Sequence, residues 1–112
     1  VIDTLERFAS DKNGTDFDST EGLGMRKRVR YVGRVQGVGF RATAHAVAAR
    51  FRVTGWVRNE ADGSVLMEVQ GDEEIVAGVL HELGRVMERN IRGAHETAIP
   101  VVDREDGFHI QR

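Results

Sequence analysis

Between Gly33 and Arg41 the chain reads Gly-Arg-Val-Gln-Gly-Val-Gly-Phe-Arg, with three glycines, Gly33, Gly37 and Gly39, inside seven positions. Glycine admits backbone dihedrals closed to other residues and lets N–H groups approach a ligand with no Cβ in the way. An alternating apolar run precedes this loop and an alanine-rich run of helical spacing follows it. A loop of this kind feeding a helix N-terminus offers unpaired amide donors and the positive end of the helix dipole, which together suit a phosphate or carboxylate. The amides of Gln36, Gly37, Val38, Gly39 and Phe40 are the candidate substrate-binding donors. Arg41 adds a planar guanidinium fork matched to two oxygens of a tetrahedral anion.

The flanking periodicities constrain the fold. From Lys27 to Val35 the pattern has period two, with Val29, Tyr31, Gly33 and Val35 on one face and Arg28, Arg30, Val32 and Arg34 on the other, as in a half-buried strand. Ala42 to Phe51 sets Ala44, Val47, Ala48 and Phe51 along one helical stripe. Strand spacing resumes from Val53 to Asn59, reverses at Asp62-Gly63 and continues from Ser64 to Gln70, which makes a hairpin. Asp72-Glu73-Glu74 then opens a helix striped by Ile75, Val76, Val79, Leu80, Leu83, Val86 and Met87. Two short strand-like pieces follow, Ala94 to Val101 and Phe108 to Gln111, separated by Asp103 to Gly107. The expected fold is α+β and ferredoxin-like, β-α-β-β-α-β, a four-stranded antiparallel sheet with two helices on one face. Its open face, carrying Arg28, Arg30, Arg34, Arg58 and Glu68, is expected to be solvated. Gly55 and Gly71 are expected at close approaches or strand ends, Trp56 in packing, and His45 on the surface.

The same glycine loop, with Gly55-Trp56-Val57-Arg58-Asn59 and Asp62-Gly63-Ser64-Val65, resembles the signature of the acylphosphatases, small enzymes that hydrolyse carboxyl-phosphate mixed anhydrides. The resemblance runs from about Arg28 to Arg112 and implies the ferredoxin-like fold and a hydrolytic activity. It departs from the family pattern at Arg50-Phe51-Arg52-Val53, where the family shows a Leu-Gly-Leu-like turn. It also assigns two catalytic residues: Arg41 binds the substrate phosphate with the loop amides, and Asn59 orients the attacking water. Spacing alone leaves Asn59 open between that role and an Asx-type turn residue. No carboxylate or histidine is marked as general base. The chemical alternative is a non-catalytic anion-binding or regulatory module built on the same cradle.

Composition removes several other classes. At 112 residues there is room for one domain, and with no cysteine there is no thiolate metal site and no thiol catalysis. The four histidines, His45, His81, His95 and His109, show no ligand spacing, so neither a metal nor any other cofactor is expected. Gly37 to Ala42 formally matches G-x-G-x-x-A, but a hairpin follows where a dinucleotide fold needs parallel strands, and no Gly-Lys-Ser or Gly-Lys-Thr completes a P-loop. Residues 1–24 hold six acidic residues against Arg7 and Lys12, a net −4 that leaves +2 on the remainder of a chain of net −2. They are expected to form a flexible acidic extension, with Met25 as a candidate start of the domain 25–112. A mildly basic domain favours small anions and does not call for nucleic acid. The topology and the arginines of the open sheet face raise single-stranded RNA binding, but that face lacks paired central aromatics. The expectation is a monomeric cytoplasmic protein with a small-molecule acyl phosphate substrate and no membrane association.

Overall fold

The computed structural model describes residues 24–112, so the expected acidic extension lies outside the described residues. The elements are β1 (Met25–Gly33), α1 (Phe40–Ala48), β2 (Thr54–Asn59), β3 (Val65–Gly71), α2 (Glu73–Val86), β4 (Ile91–Ile99) and β5 (Phe108–Ile110). They form one five-stranded sheet of order β4-β1-β3-β2-β5. The pairs of β1 with β3, β1 with β4 and β2 with β3 are antiparallel, whereas β5 runs parallel to β2.

Alternation along the strands selects one apolar face, as expected. Val29, Tyr31, Val57, Val65, Met67 and Val69 are buried there with Phe40, Ala44, Val47 and Ala48 of α1 and Val76, Val79 and Leu83 of α2. Each fully buried aliphatic side chain contributes about 1.5–3 kcal/mol relative to exposure, so this layer dominates the fold. The Tyr31 and Phe40 rings lie 4.9 Å apart, seating the start of α1 on β1. Helix α1 begins two residues before the expected Ala42 and ends before Phe51. Its C-terminus closes through Arg50 N–H to Val47 O and Phe51 N–H to Ala48 O, both 3.0 Å. At Gly55 an added Cβ would fall 1.9 Å from Glu68 O, so β2 and β3 could not pair this closely with any side chain there.

The sheet is not the expected four-stranded antiparallel one. After β4 the chain leaves the β1 edge and crosses to the opposite edge, where the three residues of β5 pair with β2. Pro100 supplies no amide hydrogen to extend β4, and the left-handed Arg104 and Gly107 turn the crossing segment into β5.

This crossing also corrects the picture of a solvated open face. The Gln70 side chain donates to Val102 O (3.0 Å) and accepts from Val102 N–H (2.9 Å). Arg26 donates through both terminal nitrogens to Glu105, at 2.7 and 3.1 Å. Beneath, Arg26 Nε meets Glu68 Oε1 at 2.8 Å and Arg28 meets Glu68 Oε2 at 2.7 Å. Arg26 and Glu68 are only 3% and 6% exposed, and a buried charge persists only when paired in this way. Arg28 and Arg34 are exposed, and Arg30 and Arg58 are half-buried.

Burial alone would raise the Glu105 carboxyl, but hydrogen bonds from Arg26 and Thr54 and the charge of Arg26 outweigh it and hold the group below the ordinary carboxylate range. A depressed folded-state value contributes stability above the unfolded value, lost as pH falls through the folded one. Glu105→Gln is therefore expected to lower urea stability at pH 7 and to flatten its decline into acid. Equal slopes for the two proteins between pH 5 and 3 would contradict the assignment. Arg26→Met, which leaves Glu105 without its ion-pair partner and Glu68 with Arg28 alone, should destabilise by about 3 kcal/mol in the same assay.

Candidate active site

The ends of β1, β2 and β5 meet the start of α1 around a cavity of about 220 Å³, lined by Val35, Gly37, Gly39, Phe40, Arg41, Ala42, Asn59, Ile110 and Arg112. The glycine loop is held at both ends by burial, with Val35 1% and Phe40 2% exposed. Between these anchors Gly37 and Gly39 have φ of 78° and 79°. An added Cβ would meet nothing within 4 Å at either position, so what glycine supplies here is the left-handed backbone, which costs other residues about 1–2 kcal/mol.

Gly39 is the N-cap of α1, and its carbonyl accepts Thr43 N–H at 2.9 Å. No side chain caps this end and no acidic residue lies in the first turn. The leading amides of α1 therefore lack the intrahelical partners that later ones have. Arg41, half-buried in that first turn, places a cation where the helix dipole disfavours it. It has no ion-pair partner among the described residues. An anion in the cavity would satisfy both features at once.

Asn59 ends β2, paired with Val65 of β3. The adjoining turn is stabilised by another residue: Asp62 Oδ1 accepts from Ser64 N–H at 2.9 Å and from Ser64 Oγ at 2.6 Å. These bonds, with the nearby Arg30 charge, hold the Asp62 carboxyl below its ordinary range. The Asx role that competed for Asn59 thus falls to Asp62, and among the described residues the Asn59 side chain makes no hydrogen bond.

Of the expected donors, Gly37, Gly39 and Phe40 line the cavity with Arg41 and Asn59, whereas Gln36 and Val38 are not on its wall. Val38 is exposed. The Gln36 side chain turns toward the hairpin and donates to Glu60 O (2.8 Å) and Ser64 O (2.9 Å), tying the loop to the β2–β3 connection. Trp56 lies on the opposite face of the sheet with the Arg58 guanidinium 4.8 Å from its ring centroid, and His45 is exposed.

Val35, Ala42, Ile110 and Arg112 also line the cavity, none of them among the expected site residues. The alternation of Phe108, Ile110 and Arg112 was visible, but it does not reveal that their strand lies beside β2.

A family model described as acylphosphatase matches residues 27–110. The chain belongs to the acylphosphatase family. It is 41% identical over 96 residues to an acylphosphatase of Salinibacter ruber, covering 80% of this chain and 97% of that one. With an acylphosphatase of Rhizobium etli it shares 52% identity over 58 residues, 52% of this chain and 62% of that protein. Its backbone is similar to the crystal structure of acylphosphatase from Bacillus subtilis, with a TM-score of 0.70 and 25% identity, covering 79% of this chain and 99% of that one.

Replacing Gln36 with Ala removes both ties between loop and hairpin and leaves the Glu60 carbonyl without that donor. A loss of about 1–2 kcal/mol in urea unfolding is expected, with weaker orthophosphate binding although Gln36 is off the cavity wall. Unchanged phosphate affinity would show that the loop holds its shape without the clamp.

Proposed function

We propose that this family member hydrolyses small acyl phosphates to a carboxylate and inorganic phosphate, without a metal ion. The observation that carries the reading is the convergence of Arg41, the left-handed glycine loop and Asn59 on one cavity. The phosphoryl group binds at the α1 N-terminus, against the loop amides and the Arg41 guanidinium, where charge on its equatorial oxygens is neutralised. Asn59, across the cavity, holds a water in line with the scissile bond. The water oxygen attacks phosphorus, the P–O bond to the acyl group breaks with its electron pair leaving on the carboxylate, and the water proton passes to a phosphoryl oxygen. Because the leaving group is a stable carboxylate, positioning and charge stabilisation suffice and no protein nucleophile is needed.

The lining supports a metal-free mechanism by its chemistry, since two arginines and an asparagine with apolar neighbours offer no carboxylate or imidazole to hold a cation.

Release of phosphate from benzoyl phosphate with chelator present tests the proposal. The intact chain should turn over. Arg41→Ala should lose about 10²–10³-fold in kcat, as when one preorganised oxyanion partner is removed, and Asn59→Ala about 10²-fold through loss of water positioning. A folded protein that binds phosphate without turnover would instead be an anion-binding module.

A further inference from the structure

We propose that Arg112 is a second phosphoryl-binding guanidinium, which with Arg41 matches the cavity to dianionic phosphoryl groups over monoanionic ones. The parallel pairing of β2 with β5 aligns Gly55 with Phe108, Trp56 with His109 and Val57 with Ile110. Continued two residues, the same register sets Arg112 beside Asn59. Strand alternation puts both on the face that carries Val57, Phe108 and Ile110, which is the face toward the helices. The backbone is fixed up to this point, because Gln111 N–H donates to Val57 O at 2.8 Å beyond the last paired residue of β5.

The electrostatics give this placement a purpose. Arg41 and Arg112 are the charged side chains lining the cavity, and no acidic residue lines it with them. Among the described residues neither has an ion-pair partner, a condition they share with Arg34, Arg52, Arg89, Arg92 and Arg104, so it is their place on the cavity wall that sets these two apart. Arg41 is half-buried and Arg112 exposed on the wall of the same cavity of about 220 Å³, and two guanidinium groups brought together there repel unless an anion lies between them. A phosphoryl group bearing close to two negative charges at neutral pH removes that repulsion and pairs with both forks. A monoanion leaves one positive charge unmatched. In the transition state, where charge is spread over three equatorial oxygens, a single guanidinium fork reaches at most two of them.

The inference rests on the hydrolase reading for the identity of the reacting group, but its binding half is testable alone. Titration calorimetry at pH 8 would compare orthophosphate, a dianion, with dimethyl phosphate, a monoanion, on the intact chain and on Arg112→Gln and Arg112→Lys. The intact chain should prefer orthophosphate by at least about tenfold. Arg112→Gln should weaken orthophosphate binding about tenfold and narrow that preference, while Arg112→Lys recovers part of it. The thermal midpoint without phosphate should not fall in Arg112→Gln, since a repulsion has been removed. Arg112→Gln binding orthophosphate as tightly as the intact chain overturns the proposal, as does an unaltered preference between the two anions. If the intact chain binds phosphate but does not turn over benzoyl phosphate, the hydrolase reading fails and the two-arginine site is judged on binding alone. If turnover is present and Arg112→Gln changes neither KM nor phosphate affinity, the two-arginine site fails and the hydrolase reading stands.

Discussion

A loop that is to bind an anion through its backbone must leave amide donors unused by the protein, and such a loop cannot be held by the hydrogen bonds that hold other loops. Here other forces fix it. Val35 and Phe40 bury the two ends of the loop in the core, Tyr31 packs on Phe40, and the Gln36 side chain ties the middle to the hairpin. Left-handed glycines complete the turn into α1 with no side chain taking the capping position. The sheet, the helix start and the hairpin turn together hold a segment whose leading helix amides have no side-chain cap.

The opposite face of the sheet shows a different solution to the same accounting. Its charges could have remained in water, yet the segment between β4 and β5 lies over β1 and β3 and encloses Arg26, Glu68 and Gln70 with their partners. The side chains of Arg26, Glu68 and Gln70 are all paired there, which makes the cover specific in register: Gln70 recognises the backbone of Val102, and Arg26 recognises Glu105. The remaining aromatic on that face, Trp56, is covered by Arg58. Arg58 thus takes the ring face on which a base would stack.

Much of this was legible in the sequence, and the boundary of legibility is physical. Period-two alternation identified β1, β2 and β3, although β3 is buried on both faces, and the stripe from Ile75 to Met87 identified α2, although Val86 within it is exposed, because these signals are local. Which strand neighbours which is not local. The strand-like piece Phe108 to Gln111 looks the same whether it pairs with β1 or β2, so its place beside β2 and its parallel direction stayed hidden, and with them Arg112. Arg26 and Glu68 likewise alternate to the polar face, and nothing in their spacing announces the segment that buries them. For Asn59 the obstacle was chemical: an amide near a turn suits a turn or a ligand equally well, and nothing in the spacing shows that Asp62 makes the turn's bonds to Ser64.

The parallel placement of β5 has a consequence for how the site comes into being. The cavity draws its wall from positions 35 to 42, from 59 and from 110 to 112, and the strands that bring these together pair across long stretches of chain. Loop closure on that scale must precede any reward from contact, so such topologies fold comparatively slowly. No contiguous fragment short of nearly the whole domain contains the three parts. A partly folded chain can own a helix or a hairpin, but it does not own this cavity, which is a property of the finished tertiary structure alone.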